Sequence, residues 1–219
     1  DHSDLFLPNT INPIIIHRIC ESKGIHFTLI TTGMDCMYES KRNLERTISE
    51  PPIFPYETSQ MINEQYFKNI LSNSVCIFRL YMPYDYTQNK NNYLQYVIEL
   101  GGKYSTFEHM YMSSIIQLPH IVISHIKDKI GGFYAFRNRN KINPYQIKSI
   151  YNHISKHNHK DYIIDNQPEF RSKYKMDIRY TIIETNPIEH EIRNYILSMN
   201  NGGCLKKPVT PRLSSVGPC

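Results

Sequence analysis

Residues 50–71 have the sequence EPPIFPYETSQMINEQYFKNIL, and residues 75–80 have the sequence VCIFRL. The prolines mark a turn that opens a helix, predicted over residues 57–72, because proline suits the first turn of a helix and disrupts its interior. Apolar residues recur on one face of this helix and predict an inward-packing stripe; they are Met61, Ile62, Tyr66, Phe67, Ile70 and Leu71. The second stretch is nearly all apolar, which is typical of a strand buried on both faces of a parallel sheet.

A similar helix-and-strand unit precedes this one. Polar residues and Pro13 predict a helix that starts near residue 9, and Gly24 predicts its end. Residues 25–30, IHFTLI, predict a strand that runs into Thr31-Thr32-Gly33. Helices that alternate with apolar strands favour an α/β fold with a parallel sheet.

The rest of the chain continues the alternation. Further helices are predicted over residues 92–100, 113–127 and 143–157, and from Asn186-Pro187 onward. Further strands are predicted over residues 131–136, 161–164 and 179–183. The helix over 113–127 is expected to bend at Pro119. Residues 201–219 are rich in Gly, Pro and Ser and predict a loose tail.

Charge and length limit the classes of function. The 219 residues suffice for one good core, and the formal net charge of +5 is spread along the chain. A nucleic-acid surface needs clustered basic residues interleaved with aromatic ones, so the sequence argues against binding to nucleic acid. A basic structural or nucleic-acid-associated protein is kept as a third alternative, whose sign would be DNA affinity that falls steeply with salt.

Cysteine usage and hydropathy predict a soluble, intracellular, cytoplasmic protein without a membrane segment. The five cysteines are an odd number without paired short spacing, which favours reduced thiols over disulfides and argues against a zinc site. No apolar run approaches the ~18 residues that a membrane helix needs. The first residues also lack the basic and apolar regions of a signal peptide.

Several short motifs occur in an order that is informative about the fold. Asn9-x-x-Asn12-Pro13 precedes the first apolar helix, and Glu50-Pro51-Pro52 precedes the second. The strand after the second helix continues as Phe78-Arg79-Leu80-Tyr81-Met82-Pro83. Residues 131–136, GGFYAF, and the helix start at Asn143 follow further on.

In this order the motifs resemble the extended short-chain dehydrogenase/reductase family. The branch they resemble most is that of the nucleotide-sugar reductases of the dTDP-4-dehydrorhamnose reductase type. The resemblance covers roughly residues 9–155 and, more weakly, 178–199. It implies a partial Rossmann-like parallel sheet that lacks the first three family strands, with a small C-terminal substrate-side lobe. The expected division is residues 1–100 for the sheet region, 101–200 for the lobe and 201–219 for the tail.

The sequence lacks the glycine-rich turn with which the family binds its dinucleotide cofactor. A dinucleotide site needs a glycine-rich turn between a strand and a helix, since only glycine lets the backbone approach the pyrophosphate. No such turn precedes residue 9, and Gly101-Gly102 and Gly131-Gly132 stand in other contexts. We therefore expect no cofactor on the main hypothesis, and NAD(P) only if the chain is an active reductase.

The catalytic pair of the family is also incomplete. In the family, a lysine four residues after the catalytic tyrosine lowers the pKa of the phenol, which then donates a proton as hydride arrives. The candidate registers here place Tyr56 with Gln60, or Glu57 with Met61, and neither supplies a cation. The catalytic candidates are Tyr56 and a hydroxyl partner, Thr31 or Thr32, of which Thr32 is preferred.

Other candidates have simpler interpretations. Tyr86 and Lys90 have the right spacing but follow the wrong strand, so they are predicted to be surface loop residues. Arg79 needs a partner for its charge; it either lines a substrate-binding cleft together with Met82 or simply ends its strand. His153 and His157 share a helical face, with His159 nearby, but no third metal ligand is placed beside them. Cys36 is interpreted as a packing thiol.

Two functional hypotheses follow. The first is a truncated, degenerate relative of the nucleotide-sugar reductases, non-catalytic, with a binding or regulatory role and a nucleotide sugar as its possible ligand. The second is a fragment of an active NAD(P)-dependent nucleotide-sugar 4-keto reductase or epimerase. Without the first family strands, the strand over residues 25–31 would be an exposed apolar edge. A protein partner, self-association or a rearranged N-terminus is therefore expected to cover it.

Overall fold

The chain alternates helices and parallel strands as far as the computed structural model describes it, over residues 5–32, 55–70, 72–89, 91–99, 103–105, 109–156, 162–164 and 181–200. The elements are a π-helical turn Leu7–Ile11, α1 Asn12–Ser22, β1 Phe27–Thr32, α2 Pro55–Asn69, β2 Val75–Leu80, β3 Met82–Tyr84, α3 Tyr93–Glu99, β4 Lys103–Ser105, β5 Met112–Ser114, α4 Leu118–Lys127, β6 Gly132–Arg139, α5 Pro144–Ser155, β7 Tyr162–Ile164, β8 Thr181–Pro187 and α6 Ile188–Asn200.

The main sheet has four parallel strands in the order β1, β2, β6, β8. Every residue of β2 is buried, because β2 lies between two strands and beneath helices on both faces. In the register of the sheet, Thr31 lies beside Arg79 and Leu80 beside Phe136. Two short parallel pairs, β3 with β5 and β4 with β7, lie outside this sheet. The α/β prediction with a parallel sheet is confirmed.

Each face of the main sheet has its own apolar core. The core on the α1 and α2 face consists of Phe27, Phe67, Val75, Ile77 and Phe133, with Tyr66 and Ile70 packed against it. The core on the α4 face consists of Cys76, Phe78, Leu80, Leu118, Ile121 and Phe136. The predicted stripe of α2 therefore packs inward at Tyr66, Phe67 and Ile70, whereas Ile62 is exposed to solvent.

A third core lies between helices α3, α5 and α6. Its buried members are Tyr84, Leu94, Val97, Ile98, Met110, Met112, Ile142, Ile147, Ile188, Ile192, Tyr195 and Ile196. The hydroxyl of Ser113 ties this part to the main sheet, since it accepts from the amide of Tyr81 at 2.8 Å and donates to the carbonyl of Phe136 at 2.5 Å. Strands β6 and β8 lie beyond residue 100 yet belong to the main sheet, so the predicted boundary at residue 100 crosses it.

Within the described ranges, β1 is an edge strand of the main sheet. The amide of Phe27 donates toward β2, to the carbonyl of Ser74 at 2.7 Å, so the backbone groups of the alternate residues Thr28 and Ile30 point to the other side. Ile30 is 49% exposed. The partner expected at this edge stays a prediction.

Two proline positions differ from the prediction. Pro119 lies in the first turn of α4 and begins the helix instead of bending it, while Ser113 and Ser114 belong to β5. Pro187 ends β8, and α6 begins one residue later at Ile188. The tail predicted over residues 201–219 lies outside the described residues.

Candidate functional site

Three polar residues of α2 face the carboxyl ends of β1 and β2. Tyr56, Gln60 and Glu64 are spaced by four residues, so their side chains lie on one helical face, one turn apart. We call this row the polar ladder. Each member of the ladder contacts a polar side chain on a neighbouring strand.

The first contact joins Tyr56 to Thr32. A hydrogen bond of 2.7 Å connects the two hydroxyl groups, and both side chains are half-buried. Thr32 is the last residue of β1, and Tyr56 lies in the first turn of α2. The two candidates predicted from the sequence are therefore adjacent at the carboxyl end of a parallel strand, where α/β proteins commonly bind ligands.

The second contact is made by Gln60, four residues after Tyr56. The hydroxyl of Thr31 donates to the amide oxygen Oε1 of Gln60, and Thr31 is buried. Successive residues of a strand point to opposite faces of the sheet. Thr31 contacts α2 from within the sheet, whereas Thr32 can reach Tyr56 because it is the last residue of β1. Gln60 is a neutral group that is held in place by the strand.

The third contact is a buried ion pair. The guanidinium of Arg79 donates from Nε to Oε1 of Glu64 at 2.9 Å and from Nη2 to Oε2. Arg79 is 4% exposed and Glu64 is 0% exposed. The charge of Arg79 thus has its partner in the ladder, which sequence reasoning missed; an arginine inside an apolar strand was the signal that some carboxylate had to lie nearby.

Hydrogen bonds and aromatic packing along α2 fix its position. Thr10 donates to the carbonyl of Ser59 at 3.1 Å, and the amide of Asn63 donates to the carbonyl of Asn9. Further along, the ring of Phe67 stacks on Phe27 with 5.3 Å between centroids. The helix that carries the polar ladder is therefore held by hydrogen bonds at Ser59 and Asn63 and by aromatic packing at Phe67.

Met82, the other candidate for substrate binding, lies on β3 beside Met112 and packs against the third core. On β6, the guanidinium of Arg137 lies 3.8 Å from the centroid of the Tyr111 ring and also pairs with Glu184 at 2.9 Å. The role of Met82 and Arg79 in binding substrate stays a prediction.

Tyr86 lies in the loop between β3 and α3, as predicted, but it is not a surface residue. It is half-buried, and its hydroxyl donates to the buried carboxylate of Glu191 on α6, which also accepts from Asn186 at 2.7 Å. Burial, together with this carboxylate, raises the pKa of Tyr86 above its usual value. The residue with which it was paired, Lys90, lies outside the described residues.

Burial raises the pKa of the Cys76 thiol to about 12. A thiol that stays protonated at neutral pH is a packing group, in keeping with the interpretation of the cysteines. No cluster of three His, Cys, Asp or Glu side chains fit to hold a metal ion occurs in the described part of the chain. None of the helices in that part is long and apolar enough to cross a membrane. His157, His159 and Cys36 lie outside it.

The parallel strand order of the main sheet and the helices on both of its faces define a Rossmann-like α/β protein. No protein-family model and no curated protein matches the sequence. Solved structures do match the fold. A dTDP-4-dehydrorhamnose reductase from Bacillus anthracis, solved with NADP, is similar with a TM-score of 0.65 at 16% identity, over 87% of this chain and 70% of that one.

Two further structures are similar to the chain. The UDP-rhamnose synthase from Acanthamoeba polyphaga mimivirus matches with a TM-score of 0.60 at 19% identity, over 86% of this chain and 70% of that one. A UDP-glucuronic acid 4-epimerase from Bacillus cereus, solved with NAD, matches with a TM-score of 0.53 at 14% identity, over 87% and 68% of the two chains. The chain therefore has the fold of nucleotide-sugar reductases and epimerases of the extended short-chain dehydrogenase/reductase type.

Proposed function

We propose that this chain is a non-catalytic relative of the nucleotide-sugar reductases, with a binding or regulatory role and a nucleotide sugar as its ligand. The observation that carries the proposal is the polar ladder. It keeps a hydroxyl pair, Thr32 and Tyr56, at the strand end, but has the neutral Gln60 where a reductase of this type places a cation.

The chemistry of carbonyl reduction explains why Gln60 matters. Hydride addition to a carbonyl needs a proton donor, and a phenol serves best when a nearby cation stabilises the phenolate that it leaves behind. An amide carries no charge at any accessible pH, and the oxygen of Gln60 already accepts from Thr31. The Tyr56 and Thr32 hydroxyls can still hydrogen-bond a hydroxyl or carbonyl of a ligand.

The strand-to-helix connections that the structure describes lack the glycine-rich turn of a dinucleotide site, which supports the proposal. A pyrophosphate needs a glycine-rich connection from a strand to a helix, so that the backbone can approach it. The connections that the structure describes from β5 to α4, from β6 to α5 and from β8 to α6 contain no glycine. At α5, moreover, the side chain of Asn143 already caps the helix N-terminus.

Calorimetric titration of the purified chain tests the proposal. We expect saturable binding of dTDP-sugars or UDP-sugars, and weaker binding of the corresponding free sugars, which lack the nucleotide. Absence of binding to every nucleotide sugar tried would overturn the proposed ligand. The same titration with an unrelated nucleotide such as ATP serves as a control for recognition of phosphate alone.

The second candidate, an active NAD(P)-dependent 4-keto reductase or epimerase, is favoured by one observation. The hydroxyl pair of Thr32 and Tyr56 is intact at 2.7 Å. Steady oxidation of NADPH by the chain in the presence of a nucleotide 4-keto sugar, lost in Tyr56→Phe, would establish the reductase in place of the first candidate.

A further inference from the structure

Two arginines of the main sheet form ion pairs that differ in geometry and burial. Arg79 on β2 donates from Nε to Oε1 and from Nη2 to Oε2 of Glu64, and both partners are closed off from solvent. Arg137 on β6 donates from Nε at 3.2 Å and from Nη2 at 2.9 Å to one oxygen of Glu184, Oε1. Arg137 is 14% exposed and Glu184 is 23% exposed. The first pair is part of the core, whereas the second is in contact with solvent.

The outer edge of the Arg137 guanidinium is open to a ligand. A guanidinium carries five N–H groups, and its edge between Nη1 and Nη2 matches two oxygens of a carboxylate or a phosphate. The bonds to Glu184 use Nε and one N–H of Nη2. Within the described residues Nη1 makes no hydrogen bond, and it is not enclosed by protein atoms, so solvent reaches it. The Nη1–Nη2 edge can therefore donate two parallel hydrogen bonds to a group from outside.

The guanidinium of Arg137 is held in position by its neighbours. Its Cζ lies 3.8 Å from the centroid of the Tyr111 ring, and the ring of Tyr81 packs edge-on against Tyr111 with 5.4 Å between centroids. The cation is thus stacked on an aromatic face while Glu184 fixes its Nε side. A side chain that is already ordered loses less conformational entropy when it binds a ligand. The arrangement therefore suits recognition of an anion.

The surroundings of Arg137 carry an excess of positive charge. Three basic residues alternate along the end of β6 and just beyond it; they are Arg137, Arg139 and Lys141. The Nζ atom of Lys141 lies 4.9 Å from the centroid of the same Tyr111 ring. Two carboxylates contact this segment within the described residues, Glu184 on Arg137 and Glu189 on Asn140. A net positive charge remains, and it attracts anions from solution.

Arg137 lies on the same side of the sheet as the polar ladder. Phe133 and Arg137 are four residues apart on β6, so their side chains share a face, and Phe133 belongs to the core beneath α1 and α2. In the register of the sheet, Thr32, Leu80 and Phe136 form one row across three strands. Because neighbouring strands are ~4.8 Å apart, the backbone at Arg137 lies about 10 Å from that at Thr32. A ligand bound at the hydroxyl pair can therefore reach Arg137 with a group further along its length.

We infer that the Nη1–Nη2 edge of Arg137 is an oxyanion site, which binds a phosphate or carboxylate group of the ligand. The identity of that ligand rests on the proposed function, whereas the site itself rests on the geometry of Arg137. A nucleotide sugar offers two sources of the oxyanion, its diphosphate and the carboxylate of an acidic sugar. Both sources present oxygen pairs that fit the planar fork of a guanidinium.

NMR titration of the full chain with inorganic pyrophosphate, and separately with glucuronate, tests the site without a nucleotide. The Nε–H signal of Arg137 is identified as the one that disappears in Arg137→Gln, or in Arg137→Lys if the first variant does not fold. We expect this signal to shift in a saturable way with at least one probe. Arg139→Gln, which removes an exposed cation from the same strand, is the matched control and should keep the response. No saturable shift with either probe, or a response lost equally in Arg139→Gln, overturns the inference.

Calorimetry with UDP-glucuronate and UDP-glucose identifies which group the site binds. Arg137→Gln should lower the affinity roughly 10- to 100-fold, the range for hydrogen bonds between charged groups. Arg137→Lys should recover only part of this loss, because an ammonium keeps the charge but not the planar fork. Equal losses for the two ligands assign the diphosphate to the site, and a loss confined to UDP-glucuronate assigns the carboxylate.

The two titrations separate failure of the site from failure of the proposed function. If pyrophosphate or glucuronate shifts the Arg137 signal while no nucleotide sugar binds, the oxyanion site stands and the proposed ligand is wrong. If nucleotide sugars bind wild type and Arg137→Gln equally well, the proposed ligand stands and the role of Arg137 is refuted. Circular dichroism confirms that each variant compared in this way is folded.

Discussion

The hydroxyl of Thr32 lies 2.7 Å from the hydroxyl of Tyr56, although 24 residues separate them in the sequence. This contact joins the carboxyl end of β1 to the first turn of α2 and creates a place where two hydroxyl groups can meet one ligand atom. The remaining ladder contacts, at Gln60 and Glu64, hold the helix in the register that this contact requires.

Removing either hydroxyl should weaken nucleotide-sugar binding. We expect Tyr56→Phe and Thr32→Val each to lower the affinity by roughly tenfold, the value of one hydrogen bond to a ligand. The double variant should lose less than the sum, because each hydroxyl is the partner of the other. Calorimetry measures this, with Tyr96→Phe on the exposed face of α3 as the control. Equal affinities in all variants would place the ligand elsewhere.

The buried pair of Glu64 and Arg79 should stabilise the fold only as a pair. Glu64→Gln removes the negative charge that accepts from the buried guanidinium and should lower the free energy of unfolding by about 3–5 kcal/mol. Replacing both residues, by Glu64→Leu and Arg79→Met, removes both charges and should restore most of that loss. Urea unfolding gives the three values. A double variant less stable than Glu64→Gln would contradict this account.

Gly131 should tolerate no side chain. A Cβ at this position would lie 2.0 Å from the carbonyl oxygen of Ser72 and 2.9 Å from Cα of Asn73, so backbone must move. Gly131→Ala should therefore cost about 2–3 kcal/mol of stability. Gly24, which has φ +64° and open space around its Cβ, is the control: Gly24→Ala should cost about 1 kcal/mol, from backbone strain alone. Thermal melts that rank the two variants the other way would refute the prediction.

His26 should make the fold less stable in acid. Burial lowers the pKa of His26, and the nearby His125 lowers it further. Neither ring nitrogen has a hydrogen-bond partner within the described residues. The unfolded chain therefore binds the proton more readily than the folded chain does. The contribution of neutral His26 to stability is complete above pH ~6.5 and is lost as the pH falls through the lower pKa of the folded state.

A phenylalanine at position 26 tests this, since the ring is kept and the titration removed. Urea midpoints measured from pH 8 to about pH 5 should fall less steeply for His26→Phe than for the wild type. Identical slopes would show that other groups dominate the acid response.

The long elements could be predicted from the sequence because their signals are local. The apolar run of β2, the cap at Asn143 and the glycine at position 24 each act within a few residues, and the structure has β2, α5 and the end of α1 at these places. The three-residue strands β3, β4 and β5 are too short to show a period of two, so they were missed.

The partners of buried polar groups could not be predicted. The sequence shows that Arg79 needs a counter-charge, but only the register of α2 against β2 selects Glu64. Tyr86 contacts Glu191, which lies 105 residues further along the sequence. This contact forms only when the lobe folds, so no local sequence pattern predicts it. The pair of Thr32 and Tyr56 was found because a resemblance to a family, and not the spacing of the two residues, brought them together.

The central claim is that the chain has the fold of a nucleotide-sugar reductase but not its redox chemistry. Titration of the purified chain with NADPH, followed by the fluorescence of the nicotinamide, tests this most directly. The account predicts no saturable change up to millimolar NADPH, with or without a nucleotide sugar. Saturable binding in the micromolar range, which corresponds to about −8 kcal/mol, would contradict it.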